Sequence, residues 1–155
     1  MGNLHEGHLK LIKYAQEKDQ FLVVSIYVNP LQFDSMMDYK RYPRTIKRDL
    51  KILEKLNVDI IFLPENNFSK DNLSKLSLGK ITHKLCGLDR PGHFSGVATI
   101  ILKFLNIIQP DFLILGEKDY QQILVIKQII RDFFLKVKVL ELSLIHISEP
   151  TRLHL

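Results

Sequence analysis

Two histidines three residues apart open this chain. Met1-Gly2-Asn3-Leu4-His5-Glu6-Gly7-His8 runs directly into Leu9, Leu11, Ile12 and Ala15. The apolar spacing predicts an amphipathic helix, where positions i and i+3 share a face, so His5 and His8 point the same way. The first turn of a helix carries unpaired N–H groups and the positive end of the dipole, and both attract anions. Gly7 has no Cβ to hold a phosphate away from the backbone. That is the chemistry of a nucleotide triphosphate site. A polar helix start that merely contains two histidines is the plainer alternative. The zinc-protease pattern does not apply, because it needs His-Glu-x-x-His with i,i+4 spacing.

Other residues able to do chemistry fall at Asn29 and Gln32, at His93, in Gly116-Glu117-Lys118-Asp119, and at Gln122. Each has an ordinary reading when taken alone. Lys118 between two acids suits a solvated helix start, and Asp119 is an obvious N-cap. Gln32 and Gln122 suit surface amides, and His93 between Gly92 and Phe94 suits a turn. Their meaning depends on the elements that position them.

Phe21–Val28 is β-branched, aromatic and nearly continuous in apolar character, as in a strand buried on both faces of a parallel sheet. Asn29-Pro30 ends it. Pro43 suits the N1 position of a helix containing Ile46, Leu50, Leu53 and Leu56. Asn57 stops that helix before a strand over residues 59–63. Residues 65–90 read as a long excursion with one short helix around 81–86. The turn Arg90-Pro91-Gly92-His93-Phe94 then leads into the strongest helix, with Val97, Ile100, Ile101, Phe104, Leu105 and Ile108 at helical spacing and Pro110 as its stop. A strand over 112–115 runs into Gly116–Asp119. A helix over 120–134 follows, with Ile123, Leu124, Ile126 and Ile130 inward, and then a strand over 137–140. Such alternation predicts a doubly wound, Rossmann-like α/β parallel sheet with right-handed crossovers. Ligands of such sheets bind beyond the carboxyl ends of the strands. The loops at Asn29–Gln32 and Gly116–Asp119 lie there, and the His5–His8 turn joins them if a strand precedes it.

The chain has 155 residues, 46% hydrophobic and 25% charged, enough for one soluble domain with a core. Its net charge of +5 suits an anionic ligand. No block of like charges points to nucleic acid. A lone cysteine, Cys86, excludes an internal disulfide framework and fits a reducing compartment. No apolar run reaches the roughly 18 residues of a membrane span. A cytoplasmic enzyme or binding protein is the expectation.

The motifs MGNLHEGH, VSIYVNPLQF, YPRT, RPGHFSGVATI and GEKDYQQ, in that order and at compatible spacing, resemble the pantothenate synthetase (pantoate–β-alanine ligase) family. The likeness runs from Met1 to about Val139. MGNLHEGH alone resembles the wider nucleotidylyltransferase superfamily. The resemblance implies an α/β nucleotidylyltransferase-type domain and a two-step reaction, in which ATP activates pantoate as an adenylate that β-alanine then attacks. It also implies Mg²⁺ and a cytoplasmic homodimer, and the charge and hydropathy patterns add the expectation of no nucleic-acid or membrane partner. By motif, Met1, Gly2, Asn3, Leu4, His5, Glu6, Gly7 and His8 would line the ATP site, with His5 and His8 on its phosphates and His8 as proton donor. Gly116, Glu117, Lys118 and Asp119 would contact the nucleotide, with Lys118 on phosphate oxygens. Gln32 and Gln122 would hold pantoate, and Gln32 the β-alanine pocket as well, supported by Asn29 and His93. The resemblance names no metal ligands.

Two departures qualify this. The family has a strand and a Pro-Thr pair before the Met-Gly, and beyond Leu140 a Ser-Ser-Arg nucleotide loop and a small C-terminal domain. Here residues 143–155 match neither and resemble the conceptual translation of a sequencing adapter, so residues 1–142 are expected to form a partial nucleotide-binding domain followed by an artefactual tail. Such a chain is not expected to turn over at a meaningful rate. The competing readings are another HxGH adenylyl- or cytidylyltransferase, which the glutamine pair and GEKD oppose, and a nucleotide-binding fragment without activity.

Overall fold

The computed structural model describes residues 1–18, 21–65, 67–70, 74–79 and 92–143. Helix α1 (Glu6–Gln16) buries Leu11, Ile12 and Ala15 on one face and leaves Lys10 and Lys13 exposed. There follow β1 (Val23–Ser25), a 3-10 turn at Pro30–Gln32, α2 (Met36–Arg41), α3 (Ile46–Lys55) and β2 (Ile60–Phe62). The second half holds α4 (His93–Ile108), β3 (Phe112–Gly116), a 3-10 turn at Glu117–Asp119, α5 (Tyr120–Asp132) and β4 (Lys138–Leu142). The alternation of helix and strand is as expected, and every described pairing is parallel. Strand β1 pairs with β2, Val24 opposite Ile61, and β3 pairs with β4, Ile114 opposite Leu140.

Among the described residues the two pairs share no ladder. A cleft of about 740 Å³ is bordered by both Val23–Ser25 and Phe112–Gly116, with Leu11 and Ile12 of α1 and Ile101 and Phe104 of α4 contributing to its lining. Met1 meets the other edge of β1: its nitrogen donates to the Ser25 carbonyl (3.0 Å), and its own carbonyl accepts from the Tyr27 N–H (3.1 Å). This explains why the expected eight-residue strand at 21–28 is regular only over Val23–Ser25. Ladder geometry needs a partner of matching length, and Phe21 is left 70% exposed.

Other boundaries differ for local reasons. Pro43 lies before the Thr45 N-cap rather than at N1 of α3. It holds Tyr42 in an extended conformation (ψ 130°) and thereby ends α2, a short helix that the apolar pattern did not announce. Asn57 does stop α3, adopting φ 53°. In α5 the fully buried set is Ile123, Val125, Ile126 and Ile129, so Leu124 and Ile130 are only partly covered. The helix expected near 81–86, Cys86, Arg90, Pro91 and the segment from Leu144 onward lie outside the described residues.

Two apolar clusters hold the elements. Leu4, Ile12, Val24, Ile26 and Leu53 join α1, β1 and α3. Phe94, Ala98, Val125 and Ile129 join α4 to α5. Between α4 and the Pro30–Gln32 turn the backbones approach closely. A Cβ built on Gly96 would stand 2.2 Å from the Leu31 carbonyl oxygen, so only glycine fits there. Substituting Gly96→Ala should push the Asn29–Gln32 segment off α4 and destabilise the fold by about 1–3 kcal/mol. Urea denaturation measures this, and a variant equal in stability to the parent would show that the close approach is not a constraint.

Candidate active site

The two histidines of the opening motif cap α1 rather than simply sit on it. His5 is the N-cap residue, and its Nδ1 accepts the Gly7 N–H (3.1 Å). His8 Nδ1 accepts the His5 N–H (3.3 Å), which completes a reciprocal capping box built from imidazoles. The rings stack with centroids 3.9 Å apart. An imidazole whose Nδ1 accepts a hydrogen bond must, when neutral, carry its proton on Nε2. Both rings are therefore set as Nε2–H donors. The first-turn amides expected to meet an anion are thus partly used by the histidines, which offer side-chain donors in their place.

Burial pushes His8 down to about 4. The neighbouring His5, the chain's amino terminus and Lys118 act in the same direction, and the Asp49 carboxylate opposes them. Lys118 belongs to the 3-10 turn after β3 and borders the same cleft as His8. Asp119 occupies the N-cap position of α5 but makes no side-chain cap bond, and it too borders the cleft. This is a correction to its reading as an ordinary cap: the position is right, and the capping bond is absent.

On the opposite side, the Asn29 side chain is 3% exposed and committed at both ends. Its Oδ1 accepts the Leu31 N–H (3.0 Å), and its Nδ2 donates to the Gly96 carbonyl (3.2 Å). His93, at the start of α4, donates from Nδ1 to the Gln32 carbonyl (2.8 Å), since a carbonyl can only accept. In the neutral ring that leaves His93 Nε2 as an acceptor, the reverse of His5 and His8. Helix α4 thus fixes the turn that presents Gln32.

These groups share one cleft. Its larger chamber is bordered by Met1, Gly2, Asn3, His5, Gly7, His8, Gly116, Lys118 and Gln122. A second chamber of about 400 Å³ is bordered by Asn29, Gln32, Phe33, Tyr42 and His93. His8, Gln32 and Asp119 are among the residues that border both. Three expected residues stay outside the lining. Leu4 packs in the core with its N–H and carbonyl both engaged, Glu6 is exposed, and Glu117 borders neither chamber.

The sequence reading missed Asp49, Arg48, Thr45, Tyr27 and Tyr42. Tyr27 and Tyr42 border the cleft. Asp49 is 1% exposed and accepts the N–H groups of Asn3 (2.9 Å) and Leu4 (3.0 Å). A signal did exist. Asp49 stands at i−4 from Leu53 and i−7 from Leu56, on the apolar stripe of α3, where an unpaired carboxylate would be costly.

The family model described as pantoate-beta-alanine ligase matches residues 1–149. The chain is 48% identical over 146 residues to the pantothenate synthetase of Francisella philomiragia, covering 92% of this chain and 56% of that one. To the pantothenate synthetase of Thermoanaerobacter pseudethanolicus it is 44% identical over 151 residues, covering 96% and 53%. The chain therefore spans about half the length of the curated relatives it matches. Among solved structures, the pantoate-beta-alanine ligase of Francisella tularensis, complexed with beta-gamma ATP and beta-alanine, superposes with a TM-score of 0.88 at 44% identity. That match covers 92% of this chain and 56% of the other. Pantothenate synthetase from Thermus thermophilus gives 0.86 at 40% identity, covering 92% and 53%.

The position of His8 makes a pH prediction. Its folded pKa, about 4, lies below the ordinary 6.5, so as pH falls the unfolded chain takes up the proton first. Native stability should be unaffected by this group above roughly pH 6.5, and should decline as pH drops from there to about 4. Denaturation of the parent and His8→Asn at pH 7 and pH 5 should show a smaller acid loss in the variant. A His8 midpoint at or above 6.5 by NMR titration would overturn the assignment of a half-buried neutral ring.

Proposed function

This chain belongs to the pantoate–β-alanine ligase family, and from that premise we propose that it provides the site where ATP activates pantoate for amide formation with β-alanine. The observation that carries the reading is the shared border of the two chambers. His8, Gln32 and Asp119 stand where a nucleotide phosphate in one chamber would meet a small carboxylate in the other.

A carboxylate does not condense with an amine unaided, because its leaving group would be oxide or hydroxide. Attack of a pantoate carboxylate oxygen on the α-phosphorus of ATP forms pantoyl adenylate and breaks the bond to pyrophosphate. The β-alanine amine then attacks the acyl carbon, the carbon–oxygen bond to AMP breaks, and the nitrogen loses a proton as pantothenate is released. The first step builds charge on the non-bridging oxygens and on pyrophosphate. Donors fixed beforehand stabilise that charge, each to the extent of about 3 kcal/mol. The Nε2–H groups of His5 and His8 and the Lys118 ammonium are the donors this chain offers. In this reading the neutral His8 donates a hydrogen bond to the phosphates, and their negative charge raises its affinity for a proton as pyrophosphate departs.

Gln32 and Gln122 are neutral amides that can fix hydroxyl and carboxylate groups without cancelling the charge that attacks. Asn29 and His93 position Gln32 through the turn they hold, and the β-alanine pocket lies in the smaller chamber. The Francisella tularensis relative, complexed with a nucleotide and β-alanine, supports the pairing of ligands. Mg²⁺ is part of the proposal as a partner of the nucleotide, shielding phosphate charge. It takes oxygen ligands mainly from water and substrate phosphates with one or two carboxylates, and Asp119 fits that need. Among the described residues no cluster of three His, Cys, Asp or Glu side chains offers a metal site of its own. A cytoplasmic homodimer belongs to the same reading and rests on family membership.

Calorimetric titration of the chain tests this. ATP should bind, and pantoate should bind to the ATP-loaded protein. Gln32→Ala and Gln122→Ala should each weaken pantoate by tenfold or more, since a lost partner for a buried ligand group costs about 1–3 kcal/mol. ATP affinity should stay within about twofold. Equal losses for both ligands, or no ATP binding by the parent, would overturn the assignment.

A further inference from the structure

We propose that Asp49 is a positioning residue of the phosphate-binding turn, acting from α3 by holding the backbone of Asn3 and Leu4 so that His5 and His8 face the nucleotide. The inference rests on the nucleotide reading above and extends it to a residue with no seat in the cleft. Asp49 is 1% exposed and uses both carboxylate oxygens. Oδ2 accepts the Asn3 N–H (2.9 Å) and Oδ1 the Leu4 N–H (3.0 Å), while the Thr45 hydroxyl lies 3.1 Å from each. Arg48 adds a second hold on the same residue, donating from its guanidinium to the Leu4 carbonyl (2.5 Å).

The turn needs such a hold. Asn3 has φ +49° and Gly2 φ +153°, two consecutive residues outside the ordinary regions for L side chains. Without a hold, the negative φ that most residues prefer is open to Asn3, and a change there would carry the His5 cap away. Leu4 in the core secures one side chain, but it does not set the direction of the amides. A carboxylate receiving two successive N–H groups does, because both bonds form only in the observed turn. Bonds accepted by a carboxylate are also stronger than neutral ones, which suits a group that must hold the histidines to within fractions of an ångström.

The test compares Asp49→Asn, Thr45→Val and Thr45→Ser with the parent chain, using calorimetry for ATP, pyrophosphate and adenosine, and NMR for His8 and the Asn3 and Leu4 amides. Asparagine keeps one oxygen acceptor and turns its NH₂ toward a backbone N–H. Affinity for ATP and for pyrophosphate should fall tenfold or more in Asp49→Asn, with adenosine unchanged. Thr45→Val should fall about threefold, and Thr45→Ser, which keeps the hydroxyl, should recover the parent value. General loosening would lower all three ligands together and would count against positioning. In the NMR arm the Asn3 and Leu4 amides should lose exchange protection in Asp49→Asn. The His8 midpoint should rise toward its ordinary value as the ring loses burial, the largest cause of its depression, whereas loss of the Asp49 charge with the turn still in place would leave His5, the amino terminus and Lys118 unopposed and lower it further. If Asp49→Asn fails to fold, Thr45→Val against Thr45→Ser decides the matter. If the parent binds no ATP, the nucleotide reading fails on its own, and unchanged amide protection in the variants would overturn the positioning role.

Discussion

A carboxylate closed off from water is the constraint on which this structure turns. Asp49 sits on the apolar face of α3 beside Leu53, where an ionised group without partners would cost several kcal/mol. Thr45 supplies a local partner, and the two backbone N–H partners come from 46 and 45 residues away, in the turn that precedes α1. The need to satisfy Asp49 and the need to bury Leu4 are met by one arrangement, with α1, α3 and β1 around a shared core. Polar satisfaction and apolar burial thus specify the same docking of the N-terminal turn, and that agreement makes the docking unique.

From that docking the chemistry follows by short steps. The turn delivers His5 to the N-cap of α1, and the cap engages Nδ1 of each ring, which fixes the tautomer. Across the cleft, α4 does the same for Gln32 through three contacts of different kinds: the His93 donation, the Asn29 bridge and the close backbone approach at Gly96. Both walls are therefore built from regular elements whose first turns do the positioning. Loops carry the groups, and helices decide where they point.

The cleft itself arises from the strand arrangement. The described strands form two parallel pairs, and the space bordered by β1 and β3 is bordered also by the histidines and Lys118. Its lining combines the apolar side chains of Val24, Ile114 and Leu115 with imidazole, ammonium and amide groups. A low-dielectric wall behind fixed donors strengthens their action on a phosphate. The same environment keeps His8 uncharged.

How much of this was legible in the residues depends on the range of the interaction concerned. Amphipathic spacing identified α1, α3, α4 and α5, because burial of a helical stripe is a local pattern repeated over several turns. Asn57 and Pro110 marked helix ends for equally local reasons of backbone geometry. The order of motifs anticipated that His5, His8, Lys118, Gln32, Gln122, Asn29 and His93 border one cleft, since parallel strands send their following loops to the same side. What the chain alone did not disclose is which backbone groups would be taken, and by whom. The imidazole capping box, the reversed tautomer of His93, the uncapped Asp119 and the occupied amides of Asn3 and Leu4 each depend on an atom's neighbours in space. Asp49 shows the difference most sharply. Its place on an apolar stripe was readable as an anomaly, but its resolution required a partner 45 residues away, and only the tertiary structure supplies that distance.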